Sequence, residues 1–191
     1  DPDKVTGIIS EKTHLDESSV HSEYARSKYY AELEVWRGIE EGLNAVILNP
    51  TIILGPSDWE KSSTKIFKYV WDEHQFYIAG GYNFIDVRDV VHLSYTIINS
   101  EKTNQQYVLS GENASYKLLF EKIGSQFNKK PPTIKAGKTL KKLVLYWSNI
   151  RSLFSSKEPI ITKDAINKSD KTPSIDNSKI EMDFPYKYHS L

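Results

Sequence analysis

The sequence has no cysteine and only one methionine among its 191 residues. A chain without cysteine can form neither a disulfide nor a thiolate metal site. Its histidines also lack the spacing of metal ligands, so we predict no metal site. These histidines are His14, His21, His74, His92 and His189.

Net charge and long apolar runs are missing as well. Lysine and arginine together number 25, as do aspartate and glutamate, so the charge balance indicates neither nucleic acid nor an anionic membrane as a partner. No apolar run approaches the roughly 20 residues of a membrane-spanning helix, and the first residues do not form a signal-peptide pattern. We therefore expect no membrane span and a cytoplasmic location, which the absence of cysteine also suits.

An unusual helical stripe is the most informative feature that is present. A helix is predicted from about Ser22, a candidate N-cap, to Glu41. Five residues at spacings of four, three, four and four share one face of this helix, and we expect that face to point inward. They are Tyr24, Lys28, Ala31, Val35 and Ile39.

Tyr24 and Lys28 have two readings. A cation one turn from a phenol stabilises the phenolate, which suits general acid–base catalysis. An amphipathic tyrosine beside a snorkelling lysine explains the same spacing without chemistry. Because Tyr-x-x-x-Lys is a frequent accident, the spacing alone favours the second reading.

Alternating helices and strands predict an α/β fold. A continuous apolar run from Ala45 to Leu48 is typical of a parallel strand that is covered on both faces. Pro50 has no N–H, so it should end the pairing of this strand. The chain then turns out at the carboxyl edge of the sheet, where α/β proteins bind ligands. Residues 106–109 predict a last strand.

Polar residues and glycines mark the later helix starts and turns. Ser62 or Ser63 is the expected N-cap of a second helix, Asp89 that of a third and Ser115 that of a fourth. The glycine pair at 80–81 predicts a short hairpin or a loop.

The last part of the chain is less regular. Residues 139–154 predict an amphipathic helix with lysines near its start. Such a helix fits a membrane surface, but an apolar face that packs over a substrate cleft is the favoured reading. From Ser155 onward we expect a short helix near 163–167 and an irregular tail.

Several segments together carry a specific resemblance. They are Tyr24-Ala25-Arg26-Ser27-Lys28, Ala31-Glu32, Gly42-Leu43-Asn44, Asn49-Pro50-Thr51-Ile52-Ile53-Leu54-Gly55-Pro56, Phe84-Ile85-Asp86-Val87-Arg88-Asp89-Val90-Val91 and Tyr107-Val108-Leu109-Ser110-Gly111-Glu112. In these segments the chain resembles the extended short-chain dehydrogenase/reductase family, and within it the dihydroflavonol-reductase-like and NAD-dependent epimerase/dehydratase group. The resemblance runs to about residue 130.

The resemblance implies a domain organisation. Residues 1–112 are expected to be the C-terminal part of a Rossmann-like parallel sheet with helices, with 61–87 contributing to the substrate region. Residues 113–191 are expected to be a small region that covers the substrate. In the resembled family the helix from Tyr24 to Glu41 commonly joins a homodimer interface, so a homodimer is expected.

The resemblance also implies roles for individual residues. Tyr24 would give or take the proton of the substrate oxygen, and Lys28 would hold the nicotinamide ribose hydroxyls. Ser63 is a candidate for a cofactor phosphate contact, with a helix cap as its alternative. The nicotinamide would be lined, partly through backbone groups, by Pro50, Thr51, Ile52 and Ile53.

Two parts of the family pattern are missing. None of the nine glycines forms G-x-G-x-x-G or G-x-x-G-x-x-G, the loop that holds a dinucleotide pyrophosphate. We therefore expect the chain to be the C-terminal part of a longer enzyme, with NAD or NADP bound mostly elsewhere and with no activity of its own. The catalytic serine of the family is also unassigned, since Ser10 lies in polar loop sequence.

The expected function is NAD(P)-dependent redox chemistry at a carbonyl or alcohol carbon of a small-molecule substrate. A reductase or dehydrogenase of the dihydroflavonol-reductase-like kind is the first choice. A nucleotide-sugar epimerase or dehydratase with the same Tyr and Lys is the alternative. A non-catalytic binding module of the same fold stays open as a third reading.

Overall fold

A computed structural model of the chain describes residues 8–13, 23–137 and 174–190. Ser22, the predicted helix at 139–154 and the predicted short helix near 163–167 lie outside these ranges. The described ranges contain both helices and parallel strands, so the predicted α/β class is confirmed. The elements are α1 (Glu23–Glu40), β1 (Val46–Pro50), β2 (Ile52–Leu54), α2 (Lys65–Trp71), β3 (Phe76–Tyr77), β4 (Gly81–Asp86), α3 (Val87–Ile98), β5 (Gln105–Leu109), β6 (Glu112–Ser115), α4 (Tyr116–Phe127), β7 (Ile134–Lys135) and α5 (Ser178–Asp183).

The chain divides into two compact units. The first unit comprises Asp1–Gly55, Asn83–Glu112 and Pro173–Leu191, and the second comprises Pro56–Tyr82 and Asn113–Thr172. The assignment of the whole range 113–191 to a separate C-terminal region is therefore wrong for its last residues. They return to the first unit because their apolar side chains belong to its core.

The strand pair at the centre of the first unit is covered on both faces. β1 and β5 are parallel, and Leu48 is in register with Tyr107. On this face Tyr107 and Leu109 have no exposed surface. On the other face Val108 is buried, and Ile47, Asn49 and Gln106 are half-buried. The prediction of a strand covered on both faces therefore agrees with the structure, although the second face also carries two side-chain amides.

The core of the first unit joins three elements to this strand pair. Its buried members come from β4, α3, β5 and α5. They are Ile85, Leu93, Ile97, Tyr107, Leu109 and Ile180.

β1 ends at Pro50, as predicted. Pro50 is still in register with Leu109, and the next residue, Thr51, donates its N–H to the Leu109 carbonyl at 2.9 Å. β2 then changes partner, since Ile52 is paired with Phe84 of β4. The strands β2, β4 and β6 follow in that order across a second sheet.

The start of α3 differs from the prediction. Asp86, not Asp89, is the N-cap, and its side chain accepts the Arg88 N–H at 2.8 Å. Asp89 lies in the first turn and has no exposed surface. Its carboxylate accepts hydrogen bonds from the Tyr186 hydroxyl at 2.9 Å and from the His189 N–H at 3.1 Å. A buried carboxylate with these partners docks the end of the described chain on α3.

α5 is a second anchor that the sequence did not indicate. The Asp183 carboxylate accepts the Tyr107 hydroxyl at 2.7 Å and the Lys102 ammonium at 2.6 Å. Burial raises the pKa of the Tyr107 hydroxyl, and the hydrogen bond to Asp183 raises it further. The Lys102 hydrogen bond lowers the pKa of Asp183. The expected irregular tail is thus a docked helix between residues 178 and 183.

The second unit begins its helices at two different caps. Ser115 is the N-cap of α4 as predicted, and its hydroxyl accepts the Leu118 N–H at 3.1 Å. α2 instead follows Thr64, so neither Ser62 nor Ser63 is its N-cap. Thr64 is buried, and its hydroxyl contacts two carbonyl oxygens at 2.7 Å. This unit also carries a partly exposed aromatic cluster of Trp59, Phe67, Trp71 and Phe127.

The glycine pair at 80–81 does not form a hairpin. β3 is paired with β7, where Phe76 is in register with Ile134, while β4 belongs to another sheet. A Cβ at Gly81 would lie 2.2 Å from the Ala114 carbonyl oxygen. Glycine is therefore required because two backbones approach closely there.

Replacing Ile180 tests the docking of α5. Because its side chain has no exposed surface, we expect Ile180→Ala to lower the free energy of unfolding by about 2–5 kcal/mol. Met182 lies on the same helix and is 75% exposed, so Met182→Ala should change the same quantity by less than about 0.5 kcal/mol. Urea unfolding measures both, and equal effects would contradict the docking.

Asp183 should give the stability an acid dependence. Its pKa is lower in the folded chain than in the unfolded chain, because Lys102 and Tyr107 donate to the carboxylate. The stabilisation is therefore present above the unfolded pKa of about 3.9 and is lost as the pH falls through the folded pKa. We expect Asp183→Asn to destabilise the chain at pH 7 but to have little effect near pH 2.5, in urea titrations. Glu181→Gln, on the exposed side of α5, is the control with small effects at both pH values.

Candidate active site

Tyr24 and Lys28 lie together on the first turns of α1. The Lys28 ammonium nitrogen is 5.8 Å from the centroid of the Tyr24 ring. Tyr24 is 74% exposed, and Lys28 is exposed as well. The structure thus confirms the pairing of the two side chains on one helix face but not their burial.

The prediction that the whole stripe points inward is wrong. α1 has no buried residue, and Ala31 is exposed like the two residues before it. Only Val35 and Ile39, in the second half of the helix, are half-buried. The half-buried line of this helix runs instead through Ala25, Tyr29, Glu32, Trp36 and Ile39. This line meets the face of the strand pair that carries the Asn49 and Gln106 amides.

Glu32 connects α1 to that polar face. Its carboxylate accepts the side-chain amide of Asn49 on β1 at 3.3 Å and that of Gln106 on β5 at 2.8 Å. Sequence reasoning noticed Glu32 only as part of a motif and missed this role. Two polar residues inside otherwise apolar strands were the signal that pointed to it.

This contact fixes how α1 lies along β1. The helix from Glu32 to Glu40 rises about 12 Å, and the strand from Val46 back to Asn49 rises about 10 Å. The chain reverses between them at Gly42, whose φ of 99° is in the left-handed region. The helix and the strand therefore run in opposite directions, with Glu32 beside Asn49.

The same geometry places the tyrosine helix at the carboxyl edge of β1. Lys28 lies about 6 Å beyond Glu32 along the helix axis, and Thr51 lies about 7 Å beyond Asn49 along the strand. Lys28 is thus level with Thr51, and Tyr24 lies one turn further out. This is the edge at which α/β proteins bind ligands.

The four residues 50–53, from the end of β1 into β2, occupy different environments. Pro50 is exposed, and Thr51 and Ile52 are half-buried. The Thr51 hydroxyl is buried without a hydrogen-bonding partner among the described residues. Ile53 packs against the core cluster of the first unit, so its side chain points away from the edge.

The two serines considered from sequence lie elsewhere. Ser63 is half-buried and belongs to the 3-10 turn Ser62–Thr64 of the second unit. Ser10 lies in a turn of the first unit, where its N–H donates to the Thr13 hydroxyl at 3.0 Å and its hydroxyl accepts the Lys12 N–H at 3.3 Å.

The described ranges also bear on other classes of site. Within them no three His, Cys, Asp or Glu side chains are grouped as metal ligands. No helix in the same ranges is long and apolar enough to cross a membrane. The candidate site in these ranges is the exposed Tyr24 phenol beside the Lys28 ammonium. A phenol can exchange protons, and an ammonium can donate hydrogen bonds to hydroxyl groups.

The chain is similar to known proteins in sequence and in fold. A protein of Synechocystis sp. whose name includes dihydroflavonol 4-reductase is 34% identical over 98 residues, in a match that covers 48% of this chain and 29% of that protein. The crystal structure of gox2253 has a TM-score of 0.72 at 29% identity, covering 93% of this chain and 55% of that chain. UDP-glucuronic acid 4-epimerase from Bacillus cereus, crystallised in complex with NAD, has a TM-score of 0.65 at 14% identity, covering 97% of this chain and 52% of that chain.

These matches differ in what they show. The likeness to the Bacillus cereus protein shows the fold alone, because the identity is low. The chain spans about half the length of the two solved chains. Residues 2–110 match the family described as NAD dependent epimerase/dehydratase. Since this match covers more than half of the 191 residues, the chain belongs to the NAD dependent epimerase/dehydratase family.

Proposed function

We propose that the chain forms the nicotinamide-facing part of an NAD(P)-dependent oxidoreductase of the dihydroflavonol-reductase-like kind. The enzyme acts on a carbonyl or alcohol carbon of a small-molecule substrate. One observation carries the proposal: the Tyr24 phenol and the Lys28 ammonium are exposed side by side, level with the loop that follows β1. The 34% identity to the Synechocystis protein supports a reductase over other members of the family.

The side chains at this edge fit the nicotinamide end of the cofactor. When bound, the nicotinamide gives or takes the hydride. The Lys28 ammonium is exposed and offers three N–H donors, which suit the two hydroxyls of a ribose. The sequence has no glycine-rich pyrophosphate loop. We assign that function to a part of the protein outside this sequence, and expect this chain alone not to turn over.

Tyr24 is the general acid–base. In the direction of reduction, its hydroxyl gives a proton to the carbonyl oxygen of the substrate as the carbonyl carbon is reduced. The Lys28 ammonium stabilises the phenolate that remains, because an opposite charge nearby favours the charged form. In the direction of oxidation, the same phenolate takes the proton of the alcohol.

The segment from the end of β1 into β2 forms the wall of this site. Pro50, Thr51 and Ile52 line the nicotinamide, and Ile53 takes part through its backbone because its side chain packs in the core. Ser63 is assigned a cofactor phosphate contact. This assignment rests on the family resemblance alone.

The whole protein is proposed to be a cytoplasmic homodimer. α1 supports a dimer because it carries exposed apolar side chains on a different face from Lys28. Tyr30 is 43% exposed and Leu33 is 45% exposed. Packing this face against a second copy would remove apolar surface from water.

Tyr24→Phe in the full-length protein tests the proposed chemistry. Removing the hydroxyl removes the proton donor, so we expect kcat to fall by about 100- to 10,000-fold with the cofactor Kd unchanged. Tyr95→Phe is the control, because Tyr95 of α3 is a tyrosine that is 70% exposed, and it should leave kcat unchanged. Steady-state kinetics and calorimetry measure the two quantities. Undiminished turnover by Tyr24→Phe would refute the role of Tyr24.

The family match itself favours a second candidate, a nucleotide-sugar epimerase or dehydratase that uses the same Tyr24 and Lys28. The two candidates differ in net redox change. With excess NADH or NADPH and a panel of ketones, a reductase consumes one cofactor for each alcohol formed. With nucleotide sugars, an epimerase inverts a carbon without net cofactor oxidation. We expect net oxidation, and sugar inversion alone would select the second candidate.

A further inference from the structure

Glu32 bridges the two central strands of the first unit. Asn49 is in register with Val108, and Gln106 is in register with Ile47, so the two amides lie on the same face as diagonal neighbours. The Glu32 carboxylate accepts one N–H from each, at 3.3 Å and 2.8 Å. One carboxylate thus holds α1 against both strands.

The bridge matters because α1 is only partly packed. No residue of this helix is buried, and apolar side chains such as Trp36 and Ile39 are only half-buried. Hydrogen bonds to a charged group are stronger than those between neutral groups. These directional contacts therefore help to set the position of α1 on the strand pair.

Glu32 also lies between the two halves of the candidate site. Lys28 is one helical turn before it and Tyr24 two turns before it. On the other side, Asn49 directly precedes Pro50 and Thr51. The bridge therefore sets the register of the tyrosine and lysine relative to the loop after β1.

We propose that Glu32 is a positioning residue, which acts through Tyr24 and Lys28 by holding α1 in register with β1 and β5. This inference rests on the proposed function. Glu32 itself moves no proton and contacts no substrate. A shift of about 1 Å in the reacting groups costs up to about 100-fold in rate, so loss of the bridge should act on kcat.

Glu32→Ala in the full-length protein is the first test. We expect kcat at saturating cofactor and substrate to fall about 10- to 100-fold. Glu34→Ala is the matched control, because Glu34 is a carboxylate of the same helix whose side chain is 67% exposed and pairs with Arg37 on the solvent side. It should leave kcat unchanged.

A swap of the hydrogen-bonding partners separates positioning from stability. Gln106→Glu alone places a carboxylate against the Glu32 carboxylate, so the bond is lost and kcat should fall. Adding Glu32→Gln restores the bond with reversed polarity, and kcat should return to within about threefold of the wild type. Urea unfolding of the same variants reports stability. If the double variant regains stability but not kcat, or if kcat never fell, Glu32 is not a positioning residue.

The Tyr24→Phe background separates this inference from the proposed function. Because Glu32 acts through Tyr24, adding Glu32→Ala to Tyr24→Phe should lower kcat by less than about threefold further. A full additional loss would contradict action through Tyr24. If Tyr24→Phe leaves turnover unchanged, the proposed function fails. If Tyr24→Phe abolishes turnover and Glu32→Ala does not affect it, only the positioning role fails.

Discussion

The β1–β5 pair, which meets different elements on its two faces, is the constraint on which the first unit depends. On one face, Tyr107 and Leu109 are fully buried because α3 and α5 both pack against them. Tyr107 can be buried there because its hydroxyl donates to Asp183, so this hydroxyl is not left unsatisfied. The other face carries the Asn49 and Gln106 amides beside Ile47 and Val108, and α1 lies there. One face of the strand pair therefore belongs to the core, and the other faces the helix that carries the candidate site.

This division explains why the helix with the tyrosine and lysine is exposed. A helix that packed by a broad apolar stripe would bury its own functional groups. α1 is held instead near its middle by Glu32, which leaves the turns with Tyr24 and Lys28 in contact with solvent. Groups that exchange protons with a substrate need such access. Because α1 is held by hydrogen bonds near its middle, it buries less apolar surface, but its N-terminal turns stay accessible to solvent.

Reductases and epimerases of this family are proposed to share that edge of the sheet. Both reactions exchange a proton beside a nicotinamide, and we propose that Tyr24 with Lys28 does so in either case. The identity of the substrate depends on other side chains, since fold and chemistry vary independently. This is why family membership is firm here, from the match over residues 2–110, while the choice of reaction rests on an experiment.

Local signals determined much of this chain from its sequence. The strands β1 and β5, the Ser115 cap and the pairing of Tyr24 with Lys28 follow from apolar runs, a hydroxyl before a helix and helical spacing, all within a few residues. The tertiary structure decided the docking of Ile180, the burial of Asp89 and the bridge made by Glu32. Each of these joins residues far apart in the chain. Periodicity shows which residues share a face, but only the packed elements determine what that face meets.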